Sequence, residues 1–173
     1  LYQLATNNKT TLFVLLQTAL SVFLSRWSNE QDIVIGTPVA GRTHTELEPM
    51  IGFFVNTLVL RNQVPPKSTF LSVLAQTKES TQQAFSHQAV PFDVLVGELK
   101  PERSLSHSPL VQIMFSMRNN ASADLRFNGL DISGVDNQFE TLKFDLELAA
   151  TEQEDGLSLL WNYATSLFDP QSI

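Results

Sequence analysis

The stretch Ile51-Gly52-Phe53-Phe54-Val55-Asn56-Thr57-Leu58-Val59-Leu60 decides the fold class. Aromatic, β-branched and other apolar residues dominate it, so it reads as a strand over 54–60. At the two-residue period of a strand, Phe54, Asn56, Leu58 and Leu60 share one face. Val64-Pro65-Pro66 breaks it.

Upstream of this strand, Ile33-Val34-Ile35 reads as a second, interior strand, stopped by Gly36 and Pro38. A polar loop with Gly41, Arg42 and Pro49 joins the two. Before them, Leu12, Leu15, Leu16, Ala19, Leu20, Phe23 and Trp27 recur at helical spacing, and Phe13, Val14 and Val22 broaden the stripe. That pattern predicts a helix buried on most sides and ended by Ser28-Asn29. Downstream, Ser68 is placed to cap a helix running to about Ser86, with Phe70, Val73, Leu74, Thr77, Ala84 and Phe85 along one side. Pro91 opens a shorter helix carrying Phe92, Leu95, Val96 and Leu99, and Pro101 ends it.

The last third reads as strands. Leu110 to Met117 puts Val111, Ile113, Phe115 and Met117 on one face, and Gln112, Met114 and Ser116 on the other. Asn128-Gly129 is a hairpin turn. Leu142, Phe144, Leu146 and Leu148 alternate with Lys143, Asp145 and Glu147. Glu154-Asp155-Gly156 turns into Leu157, Leu159, Trp161 and Tyr163 as a second hairpin. The order predicts one α/β (α+β) domain, a mixed β-sheet flanked by helices.

Composition narrows the function. The chain has 173 residues, 43 % apolar and 17 % charged, which is a globular composition. Its net charge of −7, with no Lys/Arg cluster, argues against nucleic acid as a partner. With no cysteine, disulfides, thiolate nucleophiles and Cys-based zinc sites are excluded. The richest apolar stretch, Leu12 to Trp27, is too short and too polar for a membrane span. Neither a signal peptide nor a location outside the cytoplasm is expected. Leu1 in place of Met, and an end at Ser172-Ile173, make the chain read as part of a longer protein.

Candidate chemistry is sparse. His44, His87 and His107 form no metal-ligating spacing, so no metal is expected. Ser108, His87 and Asp93 can be drawn as a triad, but no nucleophile elbow supports it. Gly36-Thr37-Pro38-Val39-Ala40-Gly41-Arg42 lacks any phosphate-cradling pattern; on residues alone it is a sharply turning strand end with Arg42 pairing locally. Asn56 is the unusual residue. An amide among Phe, Val and Leu needs partners, because burying it unpaired costs about 1–3 kcal/mol. Either it bonds to backbone as a core feature or it faces a polar ligand. Gln112 and Ser116 pose the same choice.

Ile51-Gly52-Phe53-Phe54-Val55-Asn56-Thr57 resembles the I/V-G-x-F-V-N-T motif of nonribosomal peptide synthetase condensation domains. His87-Gln88-Ala89-Val90-Pro91-Phe92-Asp93 is similar to that family's H-Q-D-x-P-F-E, with Ala89 and Asp93 departing. Arg103-Ser104-Leu105-Ser106-His107-Ser108-Pro109-Leu110 resembles R-D-x-S-R-N-P-L, with departures at Ser104, His107 and Ser108. Gly36-Thr37-Pro38, Gly41-Arg42 and Lys143-Phe144-Asp145-Leu146 fit as well. The motifs keep the family's order and spacing from about Thr10 to the end, and the resemblance overrides the purely local reading of the glycine loop.

The resemblance implies one chloramphenicol acetyltransferase-like lobe. In the family, two lobes form a V around a tunnel. Donor and acceptor carrier proteins deliver phosphopantetheine-bound thioesters to it, and the acceptor amine attacks the donor thioester to form a peptide bond. The family's H-H-x-x-x-D-G motif belongs to the N-terminal lobe and does not occur here. The chain is therefore expected to be the C-terminal lobe alone, residues 1–173, with no catalytic residue of its own and no activity by itself. Asn56 and Thr57, with Gly36, Thr37, Pro38, Gly41 and Arg42, are the expected positioning residues. Gln112 and Ser116 are expected to line the tunnel, and His87, Gln88, Pro91, Phe92, Arg103 and Pro109 to be structural. No cofactor is expected to bind directly; the phosphopantetheine arm of the carrier proteins is the substrate carrier. The N-terminal lobe and a downstream adenylation domain complete the expected partners. The segment from Leu130 to Val135 is expected to be the strand that crosses to the other lobe. Gly36-Thr37-Pro38 with His87-Gln88 resembles domains joining two L-residues. The alternatives are a lobe of a related epimerisation or heterocyclisation domain, or a non-catalytic module that binds carrier proteins.

Overall fold

A computed structural model describes residues 1–42, 44–102, 104, 107–118, 130, 142–153 and 155–173. Helices α1 (Tyr2–Asn7) and α2 (Leu12–Ser28) precede strands β1 (Asp32–Val39) and β2 (Asn56–Gln63). Helices α3 (Phe70–Ser86) and α4 (Phe92–Leu99) follow, then β3 (Ile113–Arg118), β4 (Leu146–Gln153) and β5 (Gly156–Tyr163). The strands form one five-stranded sheet in the order β2-β1-β3-β4-β5. The outer pairs β1–β2 and β4–β5 are antiparallel, whereas β1–β3 and β3–β4 are parallel. This is the mixed α+β sheet that the strand and helix order predicts. The Asn128-Gly129 turn and all of the 130–135 segment except Leu130 lie outside the described residues.

One face of the sheet carries the core. Leu20 and Leu24 of α2 and Val73 of α3 meet Ile33, Ile35, Phe115, Leu146, Leu148 and Ala150. Ile35, Phe115 and Ala150 are fully buried. Phe13 stacks on Phe115 with ring centroids 5.3 Å apart and meets Phe85 edge-on at 6.2 Å, which ties α2 and α3 to β3.

Several expected boundaries and faces shift, each for a local reason. Strand β1 does not stop at Gly36 and Pro38. Gly36 is a rung opposite Met114 of β3, and Pro38 lies one residue from the strand end, where a missing N–H costs little. Strand β2 starts at Asn56, two residues later than expected. Leu110 is in the left-handed region at φ 63°, so β3 cannot begin there. Strand β4 begins at Leu146 rather than Leu142. The α3 cap is Thr69, whose side chain accepts from the Ser72 N–H at 3.2 Å, not Ser68. The β4–β5 hairpin forms as expected, with Gln153 opposite Gly156.

Helix α2 buries Leu12, Leu15 and Leu20 of its apolar stripe but turns the Phe23 and Trp27 end of that stripe outward and buries polar residues beside it. Phe23 and Trp27 are 50 % and 67 % exposed, while Gln17, Thr18 and Ser21 are fully buried. The hydroxyls of Thr18 and Ser21 bond back to the carbonyls of Val14 and Gln17 at 2.7 and 2.9 Å, and Ser25 reaches the Glu30 carbonyl at 2.6 Å. Satisfied in this way, small polar residues permit close approach. Asn62 of β2 donates to Ser21 at 3.0 Å, and Thr81 of α3 donates to Gln17 Oε1 at 2.9 Å. A polar seam thus joins α2, α3 and β2. Gln17 Nε2 and Thr77 Oγ1 lack partners among the described residues.

Candidate functional site

Thr37, Pro38, Gln88 and Ser116 of the expected set gather at the carboxyl ends of the parallel strands β1 and β3, where open α/β sheets bind ligands. Only one rung, Gly36 opposite Met114, joins the two strands. Beyond it lies a cavity of about 350 Å³ bounded by Thr37 to Ala40, Gln88, Ser116 and the apolar Phe13, Phe85 and Met117. Among the described residues no charged side chain lines it.

Asn56 sits beside this cavity, paired with Val39 across the β1–β2 ladder. Its Nδ2 donates to the carbonyls of Gln88 at 3.0 Å and Val90 at 2.8 Å, and its Oδ1 accepts from the Phe92 N–H at 3.0 Å. Both donor protons are used. Of the two roles open to this amide, backbone bonding is the one it performs. It fixes His87–Phe92, the turn between α3 and α4, onto the first residue of β2.

Gly41 and Arg42 hold the loop after β1. Gly41 has φ +63°, and a Cβ there would collide with the Phe54 carbonyl oxygen. Arg42 donates to the carbonyls of Leu47 and Glu48, and its guanidinium lies 4.4 Å from the Phe54 ring centroid. The loop is therefore closed by the local pairing that the residues alone suggest. At Gly36 a Cβ would meet Met114 Sδ, and also Val111 Cγ1 at 2.6 Å, so a side chain there would wedge β1 from β3.

The remaining candidates separate. Gln112 donates to the Ser108 carbonyl at 3.1 Å and is absent from the cavity that Ser116 lines. Pro109 borders a different cleft with Asp93 and Lys100, and Arg103 lies outside the described residues. His87 ends α3; its Nδ1 donates to the Gln83 carbonyl at 2.9 Å, a local bond rather than a link to Ser108 or Asp93. Thr57 pairs with Pro38. Among the described residues no group of three or more His, Asp and Glu is arranged to hold a metal ion. No described helix is long and apolar enough to cross a membrane. The aromatic floor, Phe13 and Phe85, escaped sequence reasoning because both also fit the core stripes of their helices.

Among the described residues, the cavity at the sheet end carries amide and hydroxyl groups and no titratable one. The Condensation domain model matches residues 1–173, and the chain belongs to that family. The match begins at Leu1, ahead of the Thr10 boundary that the motifs alone indicate. The chain is 40 % identical over 173 residues to tyrocidine synthase 3 of Brevibacillus parabrevis, covering all of this chain and 3 % of that protein. To malpinin synthetase of Mortierella alpina it is 41 % identical over 171 residues, covering 99 % of this chain and 2 % of the relative. The chain thus spans a few per cent of the length of such relatives. Among solved structures, the X-domain from teicoplanin biosynthesis aligns with a TM-score of 0.90 at 29 % identity. That alignment covers 99 % of this chain and 40 % of the X-domain chain. A four-domain nonribosomal peptide synthetase bound to AMP and glycine aligns at 0.82 and 29 %, covering 99 % of this chain and 14 % of that one.

Proposed function

We propose that this chain is the C-terminal half of a condensation domain that joins carrier-tethered thioesters through a peptide bond. Attack of an amine on a thioester needs an oriented amine, polar support for the developing oxyanion and exclusion of water. It also needs a group to position or accept the amine proton. The observation that carries the half-site reading is the cavity itself: among the described residues its lining offers amide and hydroxyl groups but nothing that titrates near neutrality. The proton-handling histidine belongs to an N-terminal lobe seated across the cavity. Asn56 acts by position, holding the His87–Phe92 turn as part of the tunnel wall.

The donor and acceptor carrier proteins, with their phosphopantetheine arms, are the partners, and an adenylation domain follows in the parent chain. The subtype joining two L-residues is favoured by Gly36-Thr37-Pro38 and His87-Gln88. The test is complementation. Loaded donor and acceptor carriers, mixed with this chain alone, should give no peptide, and adding the N-terminal lobe should restore product. Product from the chain alone would sink the half-site reading; none from the reunited lobes would sink condensation.

A second reading has one observation behind it. An X-domain of the same fold, from teicoplanin biosynthesis, is solved in complex with OxyB, aligning here with a TM-score of 0.85 at 29 % identity. On that precedent the lobe serves as a protein-docking module. Carrier binding by this chain without turnover by the reunited domain would favour it.

A further inference from the structure

We infer that the tongue 50–55 between β1 and β2 seats this lobe on the other half of its domain, with Ile51 and Phe53 entering an apolar recess there. The inference rests on the condensation reading for the identity of that half but on the tongue for the surface.

The tongue presents apolar side chains to solvent on a braced backbone. Phe53 is 91 % exposed, Ile51 is fully exposed, and Met50 and Val55 are each half exposed. Single exposed apolar residues are ordinary, but four within positions 50–55 form a patch. The residues around them keep the patch outward. Phe54 turns back under the Arg42 guanidinium, 4.4 Å from its ring centroid, and its carbonyl oxygen closes on Gly41. Arg42 also holds the carbonyls of Leu47 and Glu48. At the other end of the tongue, Asn56 is fixed by its pairing with Val39 and its bonds to Gln88 and Val90. With both ends clamped, Ile51 and Phe53 are held away from the sheet, and a second surface is what buries them.

Charge and position choose the occupant. Exposed Glu46 and Glu48 lead into the tongue, and 43–60 contains no Lys or Arg. An anionic membrane surface would be repelled. A two-fold contact between copies of this chain, centred on the tongue, would bring the same acidic residues face to face. The other half of the domain meets neither obstacle. The alignment that covers 99 % of this chain covers only 40 % of the X-domain chain, so a chain of the same fold has more than half its length beyond this lobe. The tongue also springs from the carboxyl end of β1, the sheet end that the condensation reading turns towards the missing half. Charge complementarity then places neutral or basic side chains of that half around the recess, opposite Glu46 and Glu48.

The test is photo-crosslinking in the intact parent protein, carrying Phe53→p-benzoylphenylalanine or Ile51→p-benzoylphenylalanine. Both positions are exposed in this lobe, so neither change should move the urea midpoint of the 173-residue chain. With no carrier protein added, adducts from both positions should join residues upstream of Leu1 in the same molecule, located by mass spectrometry of the digested product. Adducts to a second copy, adducts to residues downstream of Ile173, adducts that form only once carrier proteins are added, or no adduct at all would each overturn the assignment. Failure of the two readings is distinguishable. Upstream adducts in a parent that makes no peptide keep the contact and remove condensation. Peptide formation with adducts elsewhere does the reverse.

Discussion

Asn56 and Gly41 show how single residues shape this site without touching a ligand. Three hydrogen bonds from one amide replace what would otherwise be a run of unpaired backbone at the α3–α4 turn. Each is worth about 0.5–1.5 kcal/mol net, so Asn56→Ala should lower stability by about 2 kcal/mol and speed hydrogen exchange from Gln88 to Phe92. Asn56→Asp should be no better, because a carboxylate would face the carbonyls of Gln88 and Val90 with no proton to offer. Chemical denaturation and exchange mass spectrometry read both; unchanged exchange at 88–92 would remove Asn56 as the clamp. Gly41→Ala should cost about 2 kcal/mol or more, since it adds left-handed strain to a backbone collision with Phe54. A urea midpoint near wild type would refute it.

Helix α2 marks where element-level reading of the sequence stops. Its existence and ends follow from spacing and from Asn29, which takes the left-handed cap at φ 60°. Its orientation does not follow, because Phe23 and Trp27 outweigh Ser21 and Gln17 on any hydrophobicity count. Burial of the polar side depends on Asn62 and Thr81, partners 41 and 64 residues away, which no local pattern reveals. The site divides in the same way. Its members were legible as motifs, and Thr37, Gln88 and Ser116 do meet at one cavity. Which of them are already paired was not legible, since that depends on where backbone carbonyls fall after folding. The buried face can be tested directly. Trp27→Ser, on the exposed side, should cost about 1 kcal/mol or less. Ser21→Leu raises the apolar count yet should cost about 3 kcal/mol, by overpacking the seam and stripping Asn62 of its acceptor. The reverse ranking of denaturation midpoints would reverse the assigned face.

Across the whole molecule the two ends of the β1–β2 pair have opposite character. At the cavity end β1 and β3 part and polar side chains stand unpaired. At the far end Asp32 opens β1 and is held by Arg61 of β2, with Nε to Oδ1 at 2.9 Å and Nη2 to Oδ2 at 2.6 Å. The guanidinium holds the Asp32 carboxyl below its usual value of 3.8, mainly through these hydrogen bonds. Because the folded value is depressed, the pair's stabilisation is complete above the unfolded value and vanishes as pH falls through the folded one. The pair is exposed, with side chains 42 % and 68 % accessible, so the effect is small and shrinks in salt. Asp32→Asn should therefore unfold at slightly lower urea than wild type at about pH 6, and the gap should close towards about pH 2 and in roughly 1 M salt. A gap between Asp32→Asn and wild type that stays the same at about pH 2 and in roughly 1 M salt would remove the ion pair with Arg61 as its cause.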